Sequence, residues 1–211
     1  MRNTTEIIKK RYDRAAKYYD KIEDMMEKMW ISKWRKELFN HVKGHDVLEI
    51  GVGTGKNMPY YPKDINITAI DFSPKMLEKA IARANKLGLN ITLKLMDAQQ
   101  LDFPDNSFDT VITTCVFCSV PDPIKGLQEI KRVLRKSGEL IMLEHVRSNI
   151  EPLGTFMDII NPLVVRIYGA NINRNTIDNI KKTGFQIIYE NNLFFDIVKL
   201  IKAKPTSLYR P

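Results

Sequence analysis

The chain has 211 residues, of which 44% are hydrophobic and 27% charged, the proportions of a soluble globular protein, and these leave no room for disorder or for a second full-sized domain. No apolar run reaches the eighteen or so residues that a bilayer span requires, and the first residues lead into charge rather than an apolar signal core, so a cytoplasmic protein is expected. Two cysteines, Cys115 and Cys118, are too few for a disulfide scaffold or a four-ligand zinc site; both are expected as reduced thiols, with no metal.

The net charge of +8 is unevenly spread, because residues 1–45 hold twelve Lys and Arg against seven Asp and Glu. Such a patch suits an anionic partner, membrane surface or nucleic acid, or is a set of solvated helix faces. From Thr4 to about Lys43 the spacing predicts two helices. Ile8, Tyr12, Ala15, Ala16, Tyr19 and Ile22 recur at steps of three and four in the first, and Met26, Trp30, Trp34 and Leu38 at steps of four in the second. A wide apolar stripe ringed by basic residues can lie in a membrane interface or pack on a core.

Val47-Leu48-Glu49-Ile50 then runs into Gly51-Val52-Gly53-Thr54-Gly55, which reads as a buried strand entering a tight turn. Backbone without Cβ atoms admits a ligand to contact distance, and a following helix offers unpaired N–H groups. From Gly51 to Asp71 is a step of about twenty residues, at which a second strand, Ile67–Ile70, delivers a carboxylate to ribose hydroxyls. A nucleotide-type ligand is expected. The dinucleotide fingerprint would put a third small residue at position 56, where this chain has Lys.

A helix through Met58 and Tyr61 should stop near Pro62. Ser73 as N-cap and Pro74 at the first helical position open the next, with Met76, Leu77, Ala80, Ile81 and Ala84 as its buried stripe and Gly88 at its end. Ile91–Leu95 is read as the third strand and Thr110–Phe117 as the fourth. Pro121-Asp122-Pro123 begins a helix burying Leu127, Ile130, Val133 and Leu134 and ending at Lys136-Ser137-Gly138, before a fifth strand, Glu139–Glu144. Pro152 to Tyr168 is apolar but for Asp158 and Arg166, and Pro162 should split it into two short helices. It reads as an oily lid over a substrate entrance, a dimer contact or a buried cap. A last helix from Asn175 to Gly184 and a hairpin of Phe185–Tyr189 with Phe194–Ala203 complete seven strands.

The pattern Glu49-x-Gly51-x-Gly53-x-Gly55 resembles the first motif of class I S-adenosylmethionine-dependent methyltransferases. At the right distance, Leu101-Asp102-Phe103-Pro104-Asp105-Asn106-Ser107-Phe108-Asp109 resembles the Pro-x-x-x-Phe-Asp segment before strand four of the small-molecule (type 11) members. The resemblance implies a Rossmann-like α/β fold, a seven-stranded mostly parallel sheet with the last strand antiparallel, flanked by helices. It also implies S-adenosylmethionine as cofactor and S-adenosylhomocysteine as product. Asp71 would hold the ribose diol, Asp97 the adenine amino group and the Ala98 N–H the ring. Glu49, Gly51, Gly53, Gly55, Phe72, Met76, Thr114 and Cys115 would complete the cofactor site. Tyr18-Tyr19-Asp20 resembles a Tyr-Asp pair near the N-terminus of quinone and lipid methyltransferases, which implies Tyr18 or Tyr19 closing over the cofactor, Tyr19 also acting in catalysis; core packing is the alternative.

Leu143-Glu144-His145-Val146-Arg147-Ser148 resembles bacterial phospholipid N-methyltransferases, which act on phosphatidylethanolamine, and thiol methyltransferases share much of it. The segment after strand four, Thr114-Cys115-Val116-Phe117-Cys118, lacks the Asn/Asp-Pro-Pro-Tyr/Phe of DNA and protein-glutamine N-methyltransferases, so those acceptors are disfavoured. His145 is the candidate general base or else a loop-orienting residue, and Arg147, Arg166, Tyr168 and Arg174 are candidate substrate contacts. The leading expectation is N-methylation of a phospholipid at an anionic membrane surface, with other hydrophobic small molecules, quinones at carbon or thiols at sulfur, as rivals. A non-catalytic S-adenosylmethionine-binding module is the third. One domain is expected over 1–211: a helical cap at 1–45, a cofactor core at 46–148, a helical lid at 149–175 and a last helix and hairpin at 176–205.

Overall fold

The computed structural model describes residues 5–14 and 30–206; Tyr18, Tyr19 and the stripe from Ala15 to Met26 lie outside the described residues. One sheet holds β1 (Asp46–Ile50), β2 (Asn66–Asp71), β3 (Thr92–Leu95), β4 (Phe108–Thr114), β5 (Leu134–His145), β6 (Phe185–Phe194) and β7 (Val198–Pro205). Their spatial order is β3-β2-β1-β4-β5-β7-β6. Strands β1 to β5 pair in parallel, and β7 runs antiparallel to both β5 and β6. This is the Rossmann-like sheet the motifs implied.

Helices cover both faces: α1 over residues 5–14, α2 (Ser32–Asn40), α3 (Pro74–Leu87), α4 (Pro123–Val133), α5 (Leu153–Tyr168) and α6 (Thr176–Lys182). Alternate residues of each strand point to opposite sides. Leu48 and Val111 therefore join Leu127 and Ile130 of α4 and Ile180 of α6 in one core. Val47 and Ile112 join Leu38 of α2 and Leu77 and Ala80 of α3 in the other. Central strands buried on both faces read as unbroken apolar runs for this reason.

Ser73 caps α3 by accepting from the Met76 N–H, with Pro74 in the first turn and Gly88 left-handed at its end. A cap of this kind contributes about 1 kcal/mol. Ile81, expected in the buried stripe, is 45% exposed, because the stripe is narrower than its apolar residues. The segment expected as a helix through Met58 and Tyr61 is only a 3-10 turn, Met58–Tyr60; it is confined between Gly55 and Pro62, too little chain for an α-helical nucleus.

Three more boundaries differ. The fourth strand stops at Thr114, where Cys115 turns left-handed at φ +54°. α4 ends at Val133 because Leu134 already pairs with Phe108, and β5 runs on through Gly138, whose missing side chain lets it approach the Asp109 and Arg135 carbonyls. In the hairpin, β6 continues to Phe194, and β7 starts only at Val198. Finally, α5 is one helix with Pro162 inside it. Its middle is pinned from both sides: Asn161 accepts from the Ile172 N–H and donates to Asn171, while Asp158 receives Arg147 and Asn173. These bonds hold the helix across the one intrahelical bond that proline removes.

Candidate functional site

The chain order runs outward from β1 to β2 and β3, then returns to place β4 on the other side of β1. Ligands of open parallel sheets sit beyond the carboxyl ends of the strands at such a reversal. A cleft of about 680 Å³, counting its open mouth, lies there, within the usual range for a small-ligand site. Gly51, Gly53, Asp71, Phe72, Met76, Asp97, Ala98, Thr114 and Cys115 all line it.

The glycine turn is built for close approach. Gly51, Gly53 and Gly55 all have positive φ. A Cβ on Gly51 would stand 2.4 Å from Val116 Cγ2, whereas a Cβ on Gly53 would meet no protein atom within 4 Å. Gly53 thus faces the open space of the cleft. Asp71 closes the turn by accepting the Gly53 N–H on one carboxylate oxygen and the Ser73 N–H on the other, both at 2.8 Å. Burial outweighs those bonds and raises its pKa to about 6. With Phe72 as a further backbone donor, about one of the carboxylate's four acceptor sites stays open to a hydroxyl.

Glu49 lies beneath the turn rather than on the cleft wall. It is fully buried, accepts from Asn57 Nδ2 at 2.8 Å and from the Tyr61 hydroxyl, and its pKa is raised chiefly by burial. Asn57 also reaches Thr114 Oγ1 and accepts from Arg35. Gly55 likewise stands off the cleft, against Met58. At the far side, Asp97 accepts from the Gln99 backbone and side chain, which fixes the carboxylate beside the Ala98 N–H.

Sequence reasoning missed Tyr12. Its hydroxyl shares a hydrogen bond with Ser119, its ring meets Phe72 edge-on with centroids 5.7 Å apart, and it lines the cleft with Thr5. Asp13 accepts from the Ser73 hydroxyl at 2.6 Å. Helix α1 therefore roofs the cleft. The signal was present in the Ile8-Tyr12 stripe, but periodicity alone cannot say what a buried face covers.

The loop from Cys115 to Val120 forms the remaining wall, and two ionisable side chains, buried Glu144 and half-buried Arg174, frame it. Glu144 accepts from Thr113 Oγ1 at 2.7 Å and from the Val116 and Phe117 N–H groups, and burial lifts its pKa to about 7. Arg174, expected near substrate, donates to the Phe117, Cys118 and Val120 carbonyls. Its fork is occupied by backbone. Cys118 is buried, with its thiol pushed up to about 12 by burial and so uncharged at neutral pH, and Cys115 is exposed.

His145 does not line the cleft. Its ring bonds to the Ile172 backbone, Nδ1 is buried without a hydrogen-bond partner, and burial lowers its pKa. Arg147 pairs with Asp158 at 2.9 Å and Glu151 at 2.8 Å, latching the loop after β5 onto α5. Arg166 is exposed on α5, and the side chain of Tyr168 lies outside the described residues. Among the described residues no cluster of His, Cys, Asp and Glu could hold a metal ion.

Residues 48–142 match the family model described as a methyltransferase domain. The chain is 41% identical over 123 residues to a phosphatidylethanolamine N-methyltransferase of Cereibacter sphaeroides, covering 56% of this chain and 61% of that one. It is 34% identical to a ubiquinone/menaquinone biosynthesis C-methyltransferase of Bdellovibrio bacteriovorus, covering 71% of this chain and 66% of that one. A thiol S-methyltransferase of Rattus norvegicus is 33% identical, with 72% and 67% covered. The chain thus spans about two thirds or less of the length of these relatives. The fold superposes on a methyltransferase of Methanosarcina mazei with a TM-score of 0.65 at 23% identity, over 80% of this chain and 96% of that one. With a glycine turn open to the cleft, the Asp71 carboxylate beside it and Asp97 next to the Ala98 N–H, the cleft fits S-adenosylmethionine. The chain belongs to the S-adenosylmethionine-dependent methyltransferases.

Proposed function

We propose that this protein methylates the amino group of phosphatidylethanolamine-type phospholipids, working at an anionic membrane surface. The observation that carries the reading is the 41% identity to a phosphatidylethanolamine N-methyltransferase, greater than that to the quinone or thiol relatives. The cofactor supplies an activated methyl on a sulfonium. The protein has then to align the acceptor lone pair behind that methyl and keep water out.

An alkylammonium, with an ordinary pKa of about 10, must lose a proton before it attacks. Desolvation beside a second cation promotes that loss. The part of the cleft wall formed by Cys115, Val116, Ser119 and Val120 is the side we assign to the acceptor. His145 stands off that wall, so proton loss to solvent is the simpler route and His145 supports the 171–174 loop through its bond to Ile172. Tyr18 and Tyr19, which lie outside the described residues, are assigned only the part the resemblance implies, closing over a cofactor whose sulfonium an aromatic ring attracts.

Incubation of the protein with methyl-labelled S-adenosylmethionine and separate phospholipid, quinone and thiol pools tests the reading. Label in the phospholipid fraction is expected. Label confined to quinones or thiols would overturn the acceptor, and label in none would make this a binding module.

A further inference from the structure

Helix α5 carries an apolar stripe that no element among the described residues covers. Phe156, Ile159, Leu163 and Ile167 follow one another at steps of three and four and are 56, 72, 61 and 59% exposed, while Met157 on the inward side is 5% exposed. A contiguous exposed stripe of this size marks a contact surface. The single acidic residue of α5, Asp158, is already paired with Arg147 and Asn173. Arg166 borders the stripe and is exposed. No uncompensated negative charge interrupts it.

The apolar surface continues at the N-terminal end of α5. Ile150 and Phe195 are 55 and 70% exposed. Asp196 accepts from the Ser148 hydroxyl and the Asn149 N–H, which ties the β6–β7 turn to the loop leading into α5. Val198 pairs with His145 at the end of β5. The turn therefore lies at the carboxyl edge of the parallel strands, the same edge as the cleft.

A basic helix lies at the other end. Arg11 of α1 donates to the Val165 carbonyl in the last turn of α5. Between residues 5 and 14, Lys9, Lys10, Arg11 and Arg14 face only Glu6 and Asp13 as acids, and Lys10 and Arg14 are exposed. We propose that the stripe of α5, with Ile150 and Phe195 at one end and basic α1 at the other, is the surface on which this protein lies against an anionic phospholipid bilayer.

This assignment rests on the lipid reading above and names the face that serves it. An apolar helix face flanked by cations is the composition that partitions into a headgroup boundary. A second copy of this chain is the poorer occupant, because the cations of α1 would meet no unengaged acid along the stripe: Glu151 and Asp158 are paired with Arg147, and Asp196 is held by Ser148 and Asn149. Anionic lipid turns the same charges into attraction. The surface also communicates with the site: Asn161 of α5 bonds Asn171, whose side chain and N–H both bond the Cys118 carbonyl in the cleft-lining loop.

Co-sedimentation of the full chain with phosphatidylglycerol–phosphatidylcholine vesicles, against phosphatidylcholine alone, tests the surface. Binding to the anionic vesicles at low salt, weakening as salt rises, is expected. The double variant Ile159→Asp, Leu163→Asp should lose about tenfold or more in partitioning. Its S-adenosylhomocysteine affinity by calorimetry should not change, since both side chains already face solvent. Lys10→Glu with Arg14→Glu should remove the salt-dependent part alone. Variants that pellet like the parent would overturn the surface while leaving the acceptor intact, as would sedimentation velocity showing a dimer that the double variant dissociates. A parent that labels detergent-dispersed phospholipid yet never pellets would likewise overturn the surface alone. Absence of label from dispersed phospholipid would instead remove the acceptor reading beneath it.

Discussion

Gly53 and Asp71 divide the work of the glycine turn. Asp71 holds the turn closed through the Gly53 N–H, and Gly53 leaves clear the space in front of it. Gly53→Ala places a methyl in that space at a left-handed φ of +55°. The strain should lower stability by about 1–2 kcal/mol, and S-adenosylhomocysteine affinity by calorimetry should fall about tenfold or more, since the methyl and the ligand compete for one volume. An affinity that tracks only the small stability loss would show that the space is not the ligand's. Glu144 gives a pH signature. Its folded pKa, about 7, stands above the ordinary 4.5, so its contribution to stability is complete below pH 4.5 and is lost as pH rises through 7. Glu144→Gln, uncharged throughout, should therefore gain on the parent by about 2 kcal/mol between pH 5 and pH 8, read from thermal or denaturant unfolding. A stability gap that does not move with pH would contradict the buried ion.

At the scale of the element, α5 departs most from what its sequence suggests. Pro162 has the residue type that ends helices, yet tertiary bonds at Asp158, Asn161 and Val165 hold the helix on both sides of it. Pro162 is itself exposed, so Pro162→Ala should restore the missing N–H bond without filling or emptying the core. Unfolding should show a gain of about 1–3 kcal/mol. A loss would mean that the proline fixes a bend on which the Arg147 latch depends. Helix α1 teaches the converse lesson. Its periodicity was legible, but its function as a roof, through Tyr12 on Ser119 and Asp13 on Ser73, depends on partners more than fifty residues away.

At the scale of the molecule, the sheet and both cores run through everything from β1 to β7. Neither the stretch at 149–175 nor the hairpin has a core of its own. A single domain should unfold in one cooperative transition with equal calorimetric and van't Hoff enthalpies. A separate early transition would mark α5 and its loops as an independent unit.

Local chemistry determined a good deal of this protein. Alternation and apolar runs gave the strands, Ser73 and Pro74 gave the start of α3, and the spacing of Gly51, Gly53 and Asp71 gave the ligand class, because each depends on residues that are neighbours in the chain or in one βαβ unit. The tertiary structure alone decided that Arg174 and Glu144 grip the backbone of the cleft loop, that Glu49 lies beneath the glycines, that Tyr12 lines the cleft and that among the described residues one side of α5 stays bare. Those are long-range facts: a guanidinium or a leucine has the same local preferences whether it meets a carbonyl, a ligand or water, and only the folded neighbours choose among them.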